Sequence, residues 1–259
     1  MRHNWHIFCA LIRKKWTIEK PRFWNDIINK CVWAGCTILV SGYLLQAQGI
    51  SHDFGAFQFA GTFATVGIFN VYDYVAETLS DIETTNILGY HLTLPCSSWT
   101  VFAADIVLYG FLCVTQTLAI LPLGKLILWD KLSLTDIAIV PAVCMLIISS
   151  LFLSVLALWL TSVIRYSYRR RMVQTRLLFP AWFLGGFQFS FFSVWNLSTW
   201  GGCLMALNPI TYITEGMRGA LVAVPSLSPW LCMGILLLFG SFMFWDAMRR
   251  LRQQLDFVA

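Results

Sequence analysis

The sequence predicts an all-α integral membrane protein with six transmembrane helices. Of its 259 residues, 58% are hydrophobic and only 12% are charged, whereas soluble domains carry about 25% charged residues. Six apolar stretches each have roughly the 20 residues that a helix needs to cross a bilayer. Backbone groups in lipid must be satisfied internally, and the sequence lacks the alternating ten-residue pattern of a membrane barrel, so these stretches are expected to be helices.

The six spans are predicted at residues 26–48, 54–74, 98–128, 135–164, 176–196 and 228–248. Residues 1–25 are too polar to cross the membrane. Their apolar side chains recur at helical spacing beside basic residues, which is typical of an interfacial amphipathic helix. We expect this helix to lie on the cytoplasmic membrane surface and to end at Pro21. Residues 26–259 then form one transmembrane domain.

The basic residues predict the orientation. Fifteen of the 18 Lys and Arg residues fall on one side of the predicted spans, and the other side has only Lys125, Lys131 and Arg218. Because cytoplasmic loops are enriched in Lys and Arg, both termini are predicted to be cytoplasmic in a multi-pass protein of the cell (inner) membrane. The net charge of +5 reflects this bias and contact with anionic membrane lipid, so no nucleic-acid partner is expected.

An acidic segment follows the second span. Residues 73–97 contain no Lys or Arg, although this stretch is predicted to be cytoplasmic. Its first half is predicted to be a short helix. The segment carries four carboxylates, at Asp73, Glu77, Asp81 and Glu83.

A second unusual segment, residues 197–227, lies on the outer side and is nearly uncharged, but Gly and Pro interrupt it. Asn208 is a favourable N-cap and Pro209 a favourable first helical residue, so a helix of about three turns is expected after them. Glu215 and Arg218 lie three positions apart and can pair on this helix. We expect it to re-enter the outer leaflet.

Sequence motifs for catalysis are absent, so we expect that the chain is not an enzyme. HExxH and GxSxG do not occur, no metal site is predicted from Cys and His spacing, and there is no phosphate-binding loop. The predicted span interiors carry no charge, which argues against an ion-coupled carrier. If ATP drives this protein, the nucleotide must bind another chain.

The stretch Leu207-Asn208-Pro209-Ile210-Thr211-Tyr212, followed by Glu215 and Arg218-Gly219, resembles a signature of the membrane permease subunits of type-2 ABC exporters. Residues 183–189 are similar to the Gly-aromatic end of the fifth span in that family. The family also has an N-terminal interfacial helix, six spans, a cytoplasmic coupling helix between the second and third spans, and re-entrant helices before the sixth. The four features are expected here in the same order. One departure is Thr84-Thr85-Asn86-Ile87, where the family usually has Gly-Thr-Leu-Glu.

The resemblance implies an ATP-driven exporter. Two copies of a separate ABC ATP-binding subunit would hold ATP and Mg, with no cofactor in this chain. A second permease copy or a paralogue would complete the substrate path. We expect the acidic helix to contact the ATPase through Glu77, Asp81 and Glu83. The second and fifth spans would line the path, with candidates Phe63, Phe69, Gln188, Phe189 and Phe192. The outer re-entrant helix could form a gate, with candidates Asn208, Pro209, Tyr212, Glu215 and Arg218.

Two other functions stay open at the level of sequence: a lipid-modifying polytopic membrane enzyme and a structural membrane anchor of a complex. For Glu215 and Arg218, a purely local helix pair is the alternative to a gate. The substrate of an exporter (polysaccharide, glycolipid, lipid or drug) cannot be read from these residues, nor can the choice between homodimer and heterodimer.

Overall fold

The computed structural model describes residues 2–51, 53–84, 97–129, 131, 137–164, 170–222 and 224–256. All regular elements in these ranges are helices. Five are long and apolar enough to cross a membrane, namely Trp5–Ala47, Phe54–Asp81, Trp99–Ile127, Ile139–Val163 and Pro229–Leu251. The chain is therefore an all-α, multi-pass membrane protein.

The first helix is longer than predicted. Helix α1 covers Arg2–Leu39 and continues through a π-helical stretch, Val40–Leu44, into Leu45–Ala47. Pro21 lies inside α1, so the expected end of an amphipathic helix at this residue is wrong. Contacts on both sides of Pro21 hold α1 against two neighbouring helices, because Lys15 pairs with Asp105 and Arg22 pairs with Glu77. Neighbouring helices make an internal proline tolerable in a membrane helix.

The second span is bent and includes the acidic segment. Helix α2 covers Phe54–Thr65 and α3 covers Ile68–Thr84, with a turn between them. The first half of the predicted coupling segment is thus a continuation of the second span. The rest of that segment, residues 85–96, lies outside the described residues.

The third, fourth and sixth predicted spans are long helices. Ser98–Leu118 forms α4, and Ile120–Ile127 forms α5 directly after it. Ile139–Val163 forms α6, the fourth span.

The fifth predicted span, 176–196, is not one helix. Helix α7 (Arg170–Val173) leads through a π-helical stretch, Gln174–Leu178, into α8 (Phe179–Leu184), and the chain then breaks before α9 (Phe191–Leu197). Gly186 adopts a φ of +82°, a left-handed conformation that side chains other than glycine disfavour. The apolar composition predicted a span, but this backbone turn ends the helix.

Two more helices precede the last span. Thr199–Leu207 forms α10 and Pro209–Leu221 forms α11, within the predicted re-entrant segment 197–227. Helix α11 matches the predicted helix of about three turns. The last span, α12, covers Pro229–Asp256 and extends beyond its predicted end.

Helices α6 and α12 run in parallel. Near their starts, Met145 and Cys232 both face Gly216 of α11, and near their ends the Trp159 indole donates to Asp246 Oδ2 at 2.8 Å. The chain after α6 therefore starts at one end of the bundle and reaches α12 at the other.

Five chain segments meet at what we call the basic end of the bundle. It comprises the N-terminal half of α1, the last turns of α3, the start of α4 and the ends of α6 and α12. Leu11 of α1 packs with Val101 of α4, while Phe102, Leu158 and Met248 form a second cluster. Most of the described Lys and Arg residues of α1 and α12 are at this end.

The break at Gly186 makes a testable prediction. In Gly186→Ala, the new methyl group would lie 3.2 Å from Met205 Cε, Phe189 O and Thr214 Oγ1, and the backbone would be strained by about 1–2 kcal/mol. We expect a lower free energy of unfolding in a detergent titration. Gly234→Ala is the control because no atom of the described residues outside its own helix lies within 4 Å of the added carbon. Equal stability of the two variants would contradict the assignment of the turn.

Candidate functional site

Helix α11 begins with the predicted cap. The Asn208 side chain accepts a hydrogen bond from Ile210 N at 3.1 Å, and Pro209 is the first helical residue. These two roles were predicted correctly. The Asn208 amide also donates to Ala181 O at 2.6 Å, which ties the start of α11 to α8. Tyr212 donates to Ala206 O at 2.6 Å and so fixes the turn between α10 and α11.

Glu215 and Arg218 form the predicted ion pair. Arg218 Nη1 lies 3.1 Å from Glu215 Oε1, and both side chains are 0% exposed. The guanidinium carbon lies 3.7 Å from the centre of the Phe57 ring in α2. A fully buried pair is stable only when further hydrogen bonds compensate for the loss of water.

Those further bonds go to the broken segment between α8 and α9. Arg218 donates to Phe187 O and to Phe189 O, each at 3.1 Å. Phe191 N donates to Glu215 Oε1 at 3.1 Å. The pair thus supplies partners for three backbone groups that no helix satisfies. Its observed contacts make it a structural clamp, and its role in a gate stays a prediction.

Close packing at Gly61 accommodates this clamp. A methyl group on Gly61 would lie 2.7 Å from Phe187 O and 2.9 Å from Arg218 Nη2. Only glycine lets α2 approach both the broken segment and the guanidinium group at this distance.

A groove of about 650 Å³ opens between α1, α2, α8 and the broken segment. Its volume lies within the range of small-molecule sites, about 300–1,000 Å³. Six of its lining residues are aromatic, namely Trp33, Phe54, Trp182, Phe183, Phe187 and Phe189. The polar lining residues are Thr37, Ser41, Gln58 and Gln188 together with the thiol of Cys36.

Two buried polar side chains in the groove lack hydrogen-bond partners within the described part of the chain. They are Gln58, through both amide atoms, and Trp182, through its indole nitrogen. Gln58 is 2% exposed and Trp182 is 6% exposed. An unpaired buried polar group costs about 1–3 kcal/mol, so this site departs from the rule that buried polar groups are bonded.

The structure separates the five predicted path residues. Gln188 and Phe189 line the groove. Phe69 packs behind it against Trp33 and Trp182. Phe63 is buried in the core, and Phe192 is 40% exposed on α9.

The acidic residues predicted to contact an ATPase have different surroundings. Glu77 pairs with Arg22 of α1, and Tyr109 of α4 donates to its other carboxylate oxygen. Asp81 lines a cavity at the basic end with Lys14 and Lys15. Glu83 is in the last turn of α3, and its side chain lies outside the described part of the structure.

Lys30 is a functional candidate that the sequence reasoning did not single out. Its ammonium group is buried and donates to the amide oxygens of Asn70 in α3 and Gln116 in α4. Together the three polar residues cross-link three helices. The signal was available, since Lys30 and Gln58 are polar residues within apolar runs, and polar groups in membrane helices are costly.

A comparison of the chain with known protein families and with curated proteins gives no match. Among the described residues, no group of His, Cys, Asp and Glu side chains is arranged to hold a metal ion. The evidence on function therefore comes from the geometry of the chain itself.

The clamp predicts a strong coupling between its two members. Glu215→Gln or Arg218→Met alone leaves a buried, unpaired partner and should cost about 3–5 kcal/mol. In the double variant the loss should be well below the sum, as measured by a double-mutant cycle of unfolding in detergent.

The partly exposed pair of Asp246 and Arg250 on α12 provides the control. Arg250→Gln should change the free energy of unfolding by less than about 1 kcal/mol. Additive losses at Glu215 and Arg218 would show that they do not act as a pair.

Proposed function

We propose that this chain is the transmembrane subunit of an ATP-driven exporter of the type-2 ABC class, situated in the cell (inner) membrane. The observation that carries the proposal is the segment between α6 and α12. It combines a broken helix with a capped helix that holds a buried ion pair, in the order expected from the resemblance. ATP and Mg would be held by two copies of a partner ATPase.

The parallel arrangement of α6 and α12 supports six crossings. Two consecutive parallel spans require the chain between them to return across the membrane. Helices α7 and α8, the broken segment and α11 supply that return in pieces. Irregular backbone at membrane depth is tolerated where protein buries it, and the clamp of Glu215 and Arg218 provides this burial. With six crossings both termini lie on one side, and the positive-inside rule places that side in the cytoplasm.

The groove supports a role in transport. It is open and lies between α1, α2 and α8, so one chain encloses only part of a path. Large apolar side chains around it are exposed, including Val40, Leu44 and Phe183. A second copy or a paralogue would cover this face and complete the path.

The continuous α3 supports coupling to an ATPase. Helix α3 joins the acidic segment to the second span without a break from Ile68 to Thr84. A partner that moves the acidic turns therefore moves the span directly. Carboxylates at Glu77, Asp81 and Glu83 suit a basic groove on the partner, and Arg22 additionally ties Glu77 to α1.

Cysteine labelling tests the topology. In a background without the other native cysteines, we expect Ser51→Cys and Ser228→Cys to react with a membrane-impermeant maleimide in intact cells. Native Cys9 and Arg249→Cys should react only after permeabilisation. Labelling of Ser51→Cys without Ser228→Cys in intact cells would rule out the sixth crossing.

Reconstitution with the partner ATPase tests the function. We expect a complex of two ATPase and two permease chains whose ATP hydrolysis is stimulated by lipid or substrate. Reversing the charges at Glu77, Asp81 and Glu83 to Lys should reduce that stimulation several-fold, because like charges would then face a basic groove. Asp53→Lys, an exposed acid at the other end of the bundle, should have no effect.

The outcomes distinguish the rival functions. Catalytic turnover of lipid by the chain without an ATPase would indicate a membrane enzyme, and a stable complex without stimulated hydrolysis would indicate an anchor. If the Glu77 carboxylate acts through α1, the double variant Arg22→Glu/Glu77→Arg should recover the stimulated ATP hydrolysis that Glu77→Arg loses. Without rescue, the carboxylate acts on the partner.

A further inference from the structure

The groove combines apolar walls with unpaired buried polar groups. None of the described residues that line it is charged. Yet both amide atoms of Gln58 and the indole nitrogen of Trp182 are buried there without a partner in the described part of the chain. The acyl chains of lipids cannot hydrogen-bond to these groups, so leaving Gln58 and Trp182 unpaired is energetically unfavourable.

Neighbouring side chains do not relieve this cost. The Ser41 hydroxyl donates to Thr37 O at 2.9 Å, and the Thr37 hydroxyl donates to Trp33 O at 3.0 Å. Their protons are thus committed to the backbone of α1. A ligand that enters the groove can supply the missing partners.

The unpaired groups define the chemistry of that ligand. The Gln58 amide offers a donor and an acceptor, and the Trp182 indole offers a donor. A hydroxyl group satisfies both kinds because it donates one hydrogen bond and accepts two. Because three polar atoms on two side chains lack partners among the described residues, a ligand with more than one hydroxyl group close together can satisfy them at once.

The ligand should also be uncharged. An anion or a cation in this groove would have no ionic partner among the described lining residues, and an unpaired charge in a low-dielectric site is strongly unfavourable. Arg218 of α11, which contacts the broken segment, is already bonded to Glu215 and to two carbonyl oxygens. Trp33, Trp182 and Phe187 pack on one another, so they do not form an open aromatic cage for a cation.

We propose that the groove binds a neutral lipid with a hydroxyl-rich head group, such as an uncharged glycolipid, through hydrogen bonds from Gln58 and Trp182. The acyl chains lie against the apolar side chains of Val40, Leu45 and Phe54. The assignment of this lipid as cargo rests on the proposed export function. Binding itself needs neither ATP nor a partner subunit.

A photo-crosslinking experiment on the chain alone tests the proposal. The protein is placed in nanodiscs with a glucosyl diacylglycerol that carries a diazirine on one acyl chain. Labelled residues are mapped by mass spectrometry. We expect labelling in the groove, and competition by unlabelled glucosyl diacylglycerol but not by diacylglycerol or phosphatidylglycerol with the same acyl chains.

Gln58→Met and Gln48→Met form a matched pair of variants. Gln58→Met should weaken competition by the glycolipid about tenfold, the effect of one lost buried hydrogen bond of roughly 1.4 kcal/mol. Gln48→Met removes an exposed amide outside the groove and should bind as the unmodified protein does. Trp182→Phe should weaken binding in the same direction as Gln58→Met.

Thermal stability separates a binding role from a structural one. Without glycolipid, Gln58→Met should be as stable as the unmodified protein or more stable, because it removes an unpaired buried amide. Its stabilisation by added glycolipid should be reduced. Equal competition by diacylglycerol or phosphatidylglycerol, or unchanged binding by Gln58→Met, would overturn the proposal whatever the outcome of the transport assay.

Discussion

Backbone groups in lipid must find their hydrogen-bond partners within the protein, and the broken segment between α8 and α9 depends on this constraint. Four of its backbone groups bond to α11: Gly185 O to Thr214, Phe187 O and Phe189 O to Arg218, and Phe191 N to Glu215. If this segment crosses the membrane as proposed, without these side chains it would have to be a helix. The ion pair on α11 therefore lets the chain depart from a continuous span.

The same constraint explains the other polar groups of the bundle. Lys30 is buried but reaches two amide oxygens on neighbouring helices, and Lys15 is paired with Asp105. These contacts cross-link α1, α3 and α4. Gln58 and Trp182 differ because none of their side-chain polar atoms has a partner among the described residues. Within the described ranges, Asn70, Glu215 and Arg218 each have one unbonded buried atom beside bonded ones. The proposed ligand would supply the partners that the described residues do not give to Gln58 and Trp182.

The bundle places these features in positions that suit the proposed exporter. The acidic turns of α3 lie at the basic end, and the groove lies on the bent helix that α3 shares with α2. The clamp on α11 bonds to the backbone of Phe187 and Phe189 in the broken segment. The same two residues line the groove. A displacement of α3 would reach the groove through the turn at Val66 and Gly67, where close contacts to Cys113 and Leu153 leave no space for a side chain.

Much of this organisation was predictable because it depends on local properties of the sequence. Hydropathy over about 20 residues located five spans, and the spacing of Asn208, Pro209, Glu215 and Arg218 predicted a capped helix with an internal pair. Partitioning into lipid, capping and an i,i+3 contact each involve residues close in sequence. These features therefore depend on local sequence and not on tertiary packing.

Other features were decided only by tertiary structure. Hydropathy cannot detect the left-handed turn at Gly186, because the residues around it are as apolar as those of a span. The helix continues through Pro21 because ion pairs with Asp105 and Glu77 fix it before and after the proline. The groove arises where Trp33, Gln58 and Trp182 converge from three distant segments, and whether Gln58 is bonded or unpaired depends on those neighbours. Local sequence thus predicted five candidate membrane-spanning helices, and the packing between helices decided which polar groups are bonded within the described part of the chain.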